Sequence, residues 1–249
     1  MLLKENERID YVNDSLSLIQ KPDGLTFGTD ALLLAGYISG KYRSGTELGG
    51  GSGIISMLLL TRGKLEHCTA IEIQEEYCDL ISRNAELNGL SERLSAVPCD
   101  IREYKAAAEC DLVFTNPPYM KATSGAMCAR NSKTVARHEI HGGIEDFTKA
   151  GAKLLKHGGC FAAVYRPDRL TDLIVAMRAS KIEPKRITFV HADTNAEASI
   201  VLVEAKKGGK SGNLLTRPLI IYKDSEHKEY SPDMNYIMEN GAFPPDFKR

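Results

Sequence analysis

The run ELGGGSG, Glu47 to Gly53, separates a short strand-forming segment from the helical run SGIISMLLLTR that ends at Arg62. Glycines at 49, 51 and 53 give the pattern G-x-G-x-G, and an acid, Glu47, stands two residues ahead. Glycine spacing of this kind serves a tight turn whose backbone comes close to a ligand, because no Cβ holds the ligand away. The helix behind the turn presents N–H groups that have no partner within the helix. Strand, glycine turn and helix form the first unit of an α/β sheet, and the chain then repeats the unit. CTAIEI (68–73) leads into the helical QEEYCDLISRNAELNG (74–89), which stops at Asn-Gly. LSAVPCD (94–100) and CDLVFTN (110–116) read as the third and fourth strands. EDFTKAGAKLLKHGG (145–159) reads as a helix, CFAAVY (160–165) as the fifth strand, and PDRLTDLIVAMRASK (167–181) as a helix opened by proline. KRITFVHA (185–192) and ASIVLVEAK (198–206) form a closing hairpin. The alternation specifies an α/β fold with a seven-stranded, mostly parallel sheet, the last strand antiparallel and helices on both faces.

Working outward, residues 1–40 form a lead-in over the ligand pocket and residues 207–249 a tail, within one domain spanning 1–249. The lead-in carries a short hairpin within 9–20, turn chemistry at KPDG (21–24), and a helical run, TDALLLAGYI, capped by Thr29 or Asp30. The tail carries PLIIY (218–222) and a short helix, PDMNYIMEN (232–240). With 43% hydrophobic and 26% charged residues, the composition suits an ordinary globular core. The net charge of −1 rules out a polycation, so any nucleic-acid surface must be a local basic patch. The cysteines at 68, 78, 99, 110, 128 and 160 include no C-x-x-C pair and fall mostly in apolar runs, which predicts reduced thiols and a cytoplasmic setting. MLLKENERID turns charged at once, unlike a signal peptide, and no apolar run reaches the ~18 residues that cross a bilayer.

The ligand follows from the acids around the glycine turn. A dinucleotide site uses G-x-G-x-x-G to seat a pyrophosphate, and here the spacing is one residue shorter. An acid beside the loop repels phosphate and suits a cationic group, such as an amino-acid ammonium. Glu72 ends the second strand, where a carboxylate takes ribose hydroxyls, and Asp100 ends the third, where it accepts from an adenine amino group. Ribose, adenine and an amino acid without phosphate describe S-adenosylmethionine. The bland readings are a glycine-rich connection that binds nothing and, for Asp100, an ordinary turn residue. A second glycine run, GGKSG (208–212), imitates a phosphate loop, but the position that needs the first glycine of that motif is Glu204.

Strand four delivers FTNPPYM, Phe114 to Met120. Asn116 carries a carbonyl acceptor into the same crevice, and the backbone carbonyl of Pro117 lies outside any ladder. Two rigid acceptors take the two hydrogens of a planar NH2 group. That draws the nitrogen lone pair out of conjugation and aims it at an electrophile. Pro117 and Pro118 fix φ, so little entropy is lost on binding. Tyr119 offers a flat face for stacking a base, worth ~1–3 kcal/mol in single-strand binders. Positioning and electrostatics then carry the catalysis without a covalent intermediate.

ELGGGSG together with NPPY resembles the class I S-adenosylmethionine-dependent methyltransferases, a Rossmann-like fold, in the branch that methylates planar nitrogens. ERIDYV, LTFGTDALLLAGY, IEIQEE, ARHE (136–139), YRPDRL (165–170) and EPKRITFVH (183–191) resemble the bacterial tRNA1(Val) adenine-37 N6-methyltransferase family over roughly residues 5–240. The resemblance implies methylation of an exocyclic adenine nitrogen in tRNA, at position 37 of a valine tRNA; a monomer or weak homodimer is expected, although the sequence itself does not fix the oligomeric state. It implies that Asn116, Pro117, Pro118 and Tyr119 hold the adenine. The donor set it implies is Glu47, Leu48, Gly49, Gly51, Gly53, Glu72, Ile73, Asp100, Ile101 and Asn116, with Phe27 and Thr29 covering the pocket. Glu47 departs from the family, which usually carries Asp there.

NPPY marks a chemistry and not a substrate; protein glutamine, DNA adenine and rRNA guanine are methylated through it as well. Only 46 residues precede Glu47, which favours an RNA base over glutamine, whose enzymes carry a helical domain ahead of the loop. An idle module that binds donor and RNA is the remaining alternative, and an intact NPPY argues against it. Residues 120–141 hold Lys121, Arg130, Lys133 and Arg137 with His138 and His141 against one acid, Glu139, a local basic run beside the site. Arg166 and Arg169, with Lys185 and Arg186, either extend that patch or form surface ion pairs. His138 and His141 lack the further ligands of a metal site, and none is expected.

Overall fold

The computed structural model describes residues 3–21, 28–117 and 142–247. Its main sheet is built from β3 (Tyr42–Leu48), β4 (Leu65–Glu72), β5 (Leu94–Pro98), β6 (Cys110–Thr115), β7 (Leu155–Tyr165), β8 (Ile182–His191) and β9 (Ala198–Lys207). Two short tail strands, β10 (Leu214–Leu215) and β11 (Leu219–Ile220), add to β8. The strand order is β10-β8-β9-β7-β6-β3-β4-β5, with β11 also on β8. Every pairing is parallel except those of β9, which runs antiparallel to both β7 and β8. The seven expected strands are therefore β3 to β9. The antiparallel seventh lies between the fifth and sixth and not at an edge.

Side chains alternate across the sheet with the period of two that a strand imposes. Leu112 and Phe114 of β6, with Ala162 and Val164 of β7, face a core shared with α1 (Thr29–Tyr37), α2 (Ile54–Thr61), α3 (Glu75–Leu87) and α6 (Pro232–Asn240). Val113 of β6, with Phe161, Ala163 and Tyr165 of β7, faces α4 (Ile144–Leu154) and α5 (Leu170–Ala179). Both faces are covered, which is why the parallel strands read as nearly continuous apolar runs.

Several boundaries differ from the sequence expectation. The helix expected to run to Gly159 stops at Leu154, and β7 begins at Leu155. Leu155 is fully buried opposite Cys110, while Cys160 pairs with Leu112, so residues 156–159 bulge out of the ladder. Gly158, at φ +78°, makes that bulge possible. The helix expected from Pro167 opens as a 3₁₀ turn, Pro167–Arg169, and becomes regular at Leu170. The cap of α1 is Gly28, with Thr29 and Asp30 in its first turn. The side chain of Asp30 is engaged elsewhere, as described below.

The lead-in hairpin, β1 (Arg8–Asn13) and β2 (Leu16–Gln20), is a separate two-stranded sheet. It docks on α3 through two side-chain amides. Buried Asn84 accepts from Ile19 N at 2.7 Å and donates to the carbonyls of Ile19 and Ser52, each at 3.2 Å. Asn88 accepts from Ser17 N at 3.0 Å and donates to its carbonyl at 2.7 Å. Arg83 adds a bidentate pair with Glu7, both contacts 2.7 Å. Asn84 thus ties the hairpin to the glycine turn at Ser52. Among the described residues no helix is long and apolar enough to cross a membrane.

Candidate active site

The chain leaves β3 for β4 and β5 on one side, then returns to place β6 on the other. That reversal opens a crevice beyond the C-terminal ends of β3 and β6, where open α/β sheets bind ligands. The glycine turn follows β3 and Asn116 follows β6. Glu47 is paired with Phe114 in the parallel ladder, so Gly49 and Asn116 each leave the sheet just past the ends of these two neighbouring strands. Thr115 Oγ1 donates to the carbonyl of Leu48 at 2.8 Å and locks the two strand ends together.

The glycine turn is anchored at its base and open at its tip. Gly49 N and Gly50 N donate to the carbonyl of Ile71 at 2.9 and 3.0 Å, and Gly53 N donates to that of Gly50 at 2.8 Å. An added Cβ on Gly50 would stand 2.9 Å from Ile81 Cδ1 and 3.2 Å from Ala70 Cβ, so this glycine serves packing. Gly51 differs: φ is +54°, and no described atom lies within 4 Å of an added Cβ. Its open side is space for a ligand. Glu72, 6% exposed, accepts from Gly51 N through Oε2 and from Gln74 N through Oε1, both at 3.0 Å. The carboxylate is held at the lip of the turn, as a ribose ligand requires. Ile73 follows it between β4 and α3.

Asp100 and the buried Ile101 lie just past β5. Arg102 grips Asp100: Nε lies 2.9 Å from Oδ1 and 3.0 Å from Oδ2, and Arg102 N donates to Oδ1 at 2.9 Å. Arg102 was not singled out in the sequence, where only its neighbour carried a recognisable role.

Glu47 does not stand on the crevice wall. It is 1% exposed, and its Oε2 accepts from Ser56 N at 3.3 Å and from Ser56 Oγ, in the first turn of α2. Burial pushes its carboxyl up from 4.5 to about 8, against the lowering effect of the Ser56 hydrogen bonds and with a small push from Glu72. Burial thus favours the neutral carboxyl well above the pH at which a free one ionises. The carboxyl braces the start of α2 through Ser56, and its meeting with a donor ammonium, expected from the sequence, stays a proposal.

A stability prediction follows. The folded pKa lies above the unfolded one, so the stability linked to this proton is complete below pH 4.5 and is lost as pH rises through 8. Glu47→Gln keeps an oxygen for both Ser56 donors and cannot ionise. The variant is expected to gain about 2–3 kcal/mol on the parent between pH 5 and pH 7, measured by urea unfolding. Parallel stability curves over that interval would show that Glu47 ionises normally.

Asn116 is half-buried and Pro117 buried, just beyond the end of β6. Asn116 Nδ2 donates to Asp30 Oδ2 at 2.7 Å. Asp30 belongs to the first turn of α1, and sequence reasoning had considered it only as a cap. Thr29 is exposed beside it. Pro118, Tyr119, Phe27, Lys121, Arg130, Lys133, Arg137, His138 and His141 lie outside the described residues.

Of the expected basic groups, Arg166 and Arg169 follow the C-terminal end of β7, on the side of the sheet that carries Asn116. Both are ion-paired locally: Arg166 with Asp168 at 2.8 and 2.9 Å, and Arg169 with Asp172 at 2.6 Å. Lys185 and Arg186 do not extend this patch. They lie in the first half of β8, toward the opposite end of the sheet, and Arg186 is buried against Glu204.

The model of the methyltransferase small domain family matches residues 23–168, which contain the glycine turn, Glu72, Asp100 and Asn116. A curated relative, the tRNA1(Val) (adenine(37)-N6)-methyltransferase of Porphyromonas gingivalis, is 26% identical over 225 residues, covering 85% of this chain and 86% of that one. Among solved structures, a predicted O-methyltransferase from Agrobacterium tumefaciens superposes with TM-score 0.70 at 23% identity, over 86% of this chain and 98% of that one. The geranyl diphosphate C-methyltransferase of Streptomyces coelicolor, solved with S-adenosyl-L-homocysteine, gives TM-score 0.54 at 12% identity, over 72% and 78%. The open turn at Gly51 with Glu72 at its lip fits S-adenosylmethionine as methyl donor. On its crevice, its donor chemistry and the match over residues 23–168, the chain belongs to the methyltransferase small domain family and is an S-adenosylmethionine-dependent methyltransferase.

Proposed function

We propose that this methyltransferase acts on the exocyclic N6 of an adenine in tRNA, at position 37 of the valine tRNA named for its curated relatives, in the cytoplasm. The observation that carries the reading is the side-chain amide of Asn116, held by Asp30 just past the end of β6, whose Thr115 is bonded to Leu48 at the foot of the glycine turn. Glu72 and the N–H groups of the turn would hold the donor, with Asp100 at its adenine end. The donor would supply an electrophilic methyl on a sulfonium, the carbon–sulfur pair staying on sulfur as the neutral thioether of S-adenosylhomocysteine.

The residues of the chain then do the positioning. Asn116 Oδ1 and the Pro117 carbonyl accept the two amino hydrogens of the adenine. The nitrogen lone pair is drawn out of the ring and aimed along the crevice. The carbonyls are weak bases, so they orient the amine without deprotonating it. The methylated nitrogen is briefly cationic and strongly acidic, and its proton passes to solvent past the same two oxygens. Rate acceleration comes from alignment and from fixed dipoles. A loop adenine is already unpaired or nearly so, which lowers the cost of turning it into the crevice. Arg166 and Arg169 meet the flanking phosphates by exchanging their aspartate partners, and the basic run of the sequence that holds Lys121, Arg130, Lys133 and Arg137 adds positive charge for the RNA.

The test is transfer of labelled methyl from S-adenosylmethionine to unmodified bulk tRNA, followed by digestion and nucleoside mass spectrometry. The expected product is one N6-methyladenosine, in the valine isoacceptor. Label found in protein glutamine or in another base would overturn the substrate assignment, and no label with both ligands bound would favour an idle module.

A further inference from the structure

The 2.7 Å contact between Asn116 Nδ2 and Asp30 Oδ2 joins the candidate catalytic amide to the first turn of a helix 86 residues away in sequence. An Asn side chain has two near-isosteric orientations, one presenting oxygen and the other NH2. Only the orientation that presents oxygen can accept from an amino group; the other sets NH2 against NH2. A carboxylate accepts and does not donate, so Asp30 fixes the choice: NH2 turns toward Asp30 and Oδ1 turns away from it.

The helix that carries Asp30 is held firmly at its other end. Lys64 Nζ donates to the carbonyls of Ala35 and Gly36 at 2.9 and 3.0 Å. The guanidinium of Arg186 donates to the carbonyl of Tyr37 and lies 3.9 Å from the centre of the Tyr37 ring. Two cations thus meet the negative end of the α1 dipole, and the acid sits at the positive end. The result is a strut across the sheet with Asp30 at its tip.

We propose that Asp30 is a positioning residue that sets the acceptor orientation of Asn116. The proposal rests on the reading of Asn116 as acceptor for the substrate amine. Asp30→Ala is expected to lower kcat by about tenfold to a hundredfold, with KM for S-adenosylmethionine and calorimetric binding of S-adenosylhomocysteine changed by less than about twofold.

A reciprocal exchange separates orientation from mere structural support. Asn116→Asp alone sets two carboxylates against each other and is expected to be strongly impaired. Adding Asp30→Asn restores a donor–acceptor pair with the roles reversed: the amide introduced at 30 donates to the carboxylate at 116, whose second oxygen keeps the acceptor role. The double variant is expected to exceed Asn116→Asp by at least about tenfold in kcat. A double variant no faster than Asn116→Asp, or Asp30→Ala at the parent rate, would overturn the role of Asp30. Asn116→Ala at the parent rate would instead remove the acceptor reading itself, so the two failures are distinguishable.

Discussion

Asn116→Ala is expected to slow methyl transfer by about 10³-fold or more, with S-adenosylhomocysteine affinity within about twofold of the parent. The amide is half-buried at the mouth of the crevice and lies outside both hydrophobic cores, so its loss leaves the sheet intact. What disappears is one of two acceptors that strip the amine lone pair of its conjugation. That interaction gains strength as the nitrogen acquires positive charge, so its removal falls on kcat and not on donor binding. Single-turnover transfer to tRNA, read beside calorimetry with S-adenosylhomocysteine, separates the two. A variant that transfers within tenfold of the parent would eliminate Asn116 as the acceptor.

Gly51→Val is expected to weaken donor binding by about 10²-fold or more, through a different mechanism. At φ +54° a side chain costs about 1–2 kcal/mol in backbone strain. An added Cβ meets no described atom within 4 Å, so the side chain projects into the open side of the turn, where the donor is expected to pass. The same backbone N–H also holds Glu72 at 3.0 Å, so a displaced turn releases the ribose acceptor as well. Gly50→Ala is the informative contrast. Its Cβ presses on Ile81 and Ala70, so its main cost is stability. Calorimetry with S-adenosylhomocysteine and thermal unfolding on both variants should give opposite rankings. If Gly51→Val binds the donor normally, the ligand does not pass over the turn.

The seven core strands and the order of glycine turn, Glu72, Asp100 and Asn116 were legible in the linear chain because each is a local property. Strand period, helix stop signals and glycine spacing act within about a dozen residues, and parallel βαβ topology then sends the C-terminal ends of the parallel strands to one side. Local signals failed where the partner was remote. The helix expected to reach Gly159 stops at Leu154, since Leu155 finds its burial opposite Cys110. Glu47 carried the pattern of a ligand-facing acid, yet its carboxyl is bonded to Ser56 and buried, and the burial, which raises its pKa, could not be read from neighbours in sequence. Asn84, which ties the hairpin to the turn, had no signature beyond its place in a helix.

By itself the sequence determined the chemistry class, methyl transfer from S-adenosylmethionine at a glycine turn, and supplied the Asn-Pro pair proposed as acceptors for a planar nitrogen. Only the tertiary structure decided how the acceptor is held and where charge resides. A hydrogen bond from Asn116 to Asp30 depends on α1 packing against β7 and β9, and the raised pKa of Glu47 depends on the exclusion of water by the packed core. Neither packing nor desolvation is a property of neighbours in sequence, so both wait for the chain to fold.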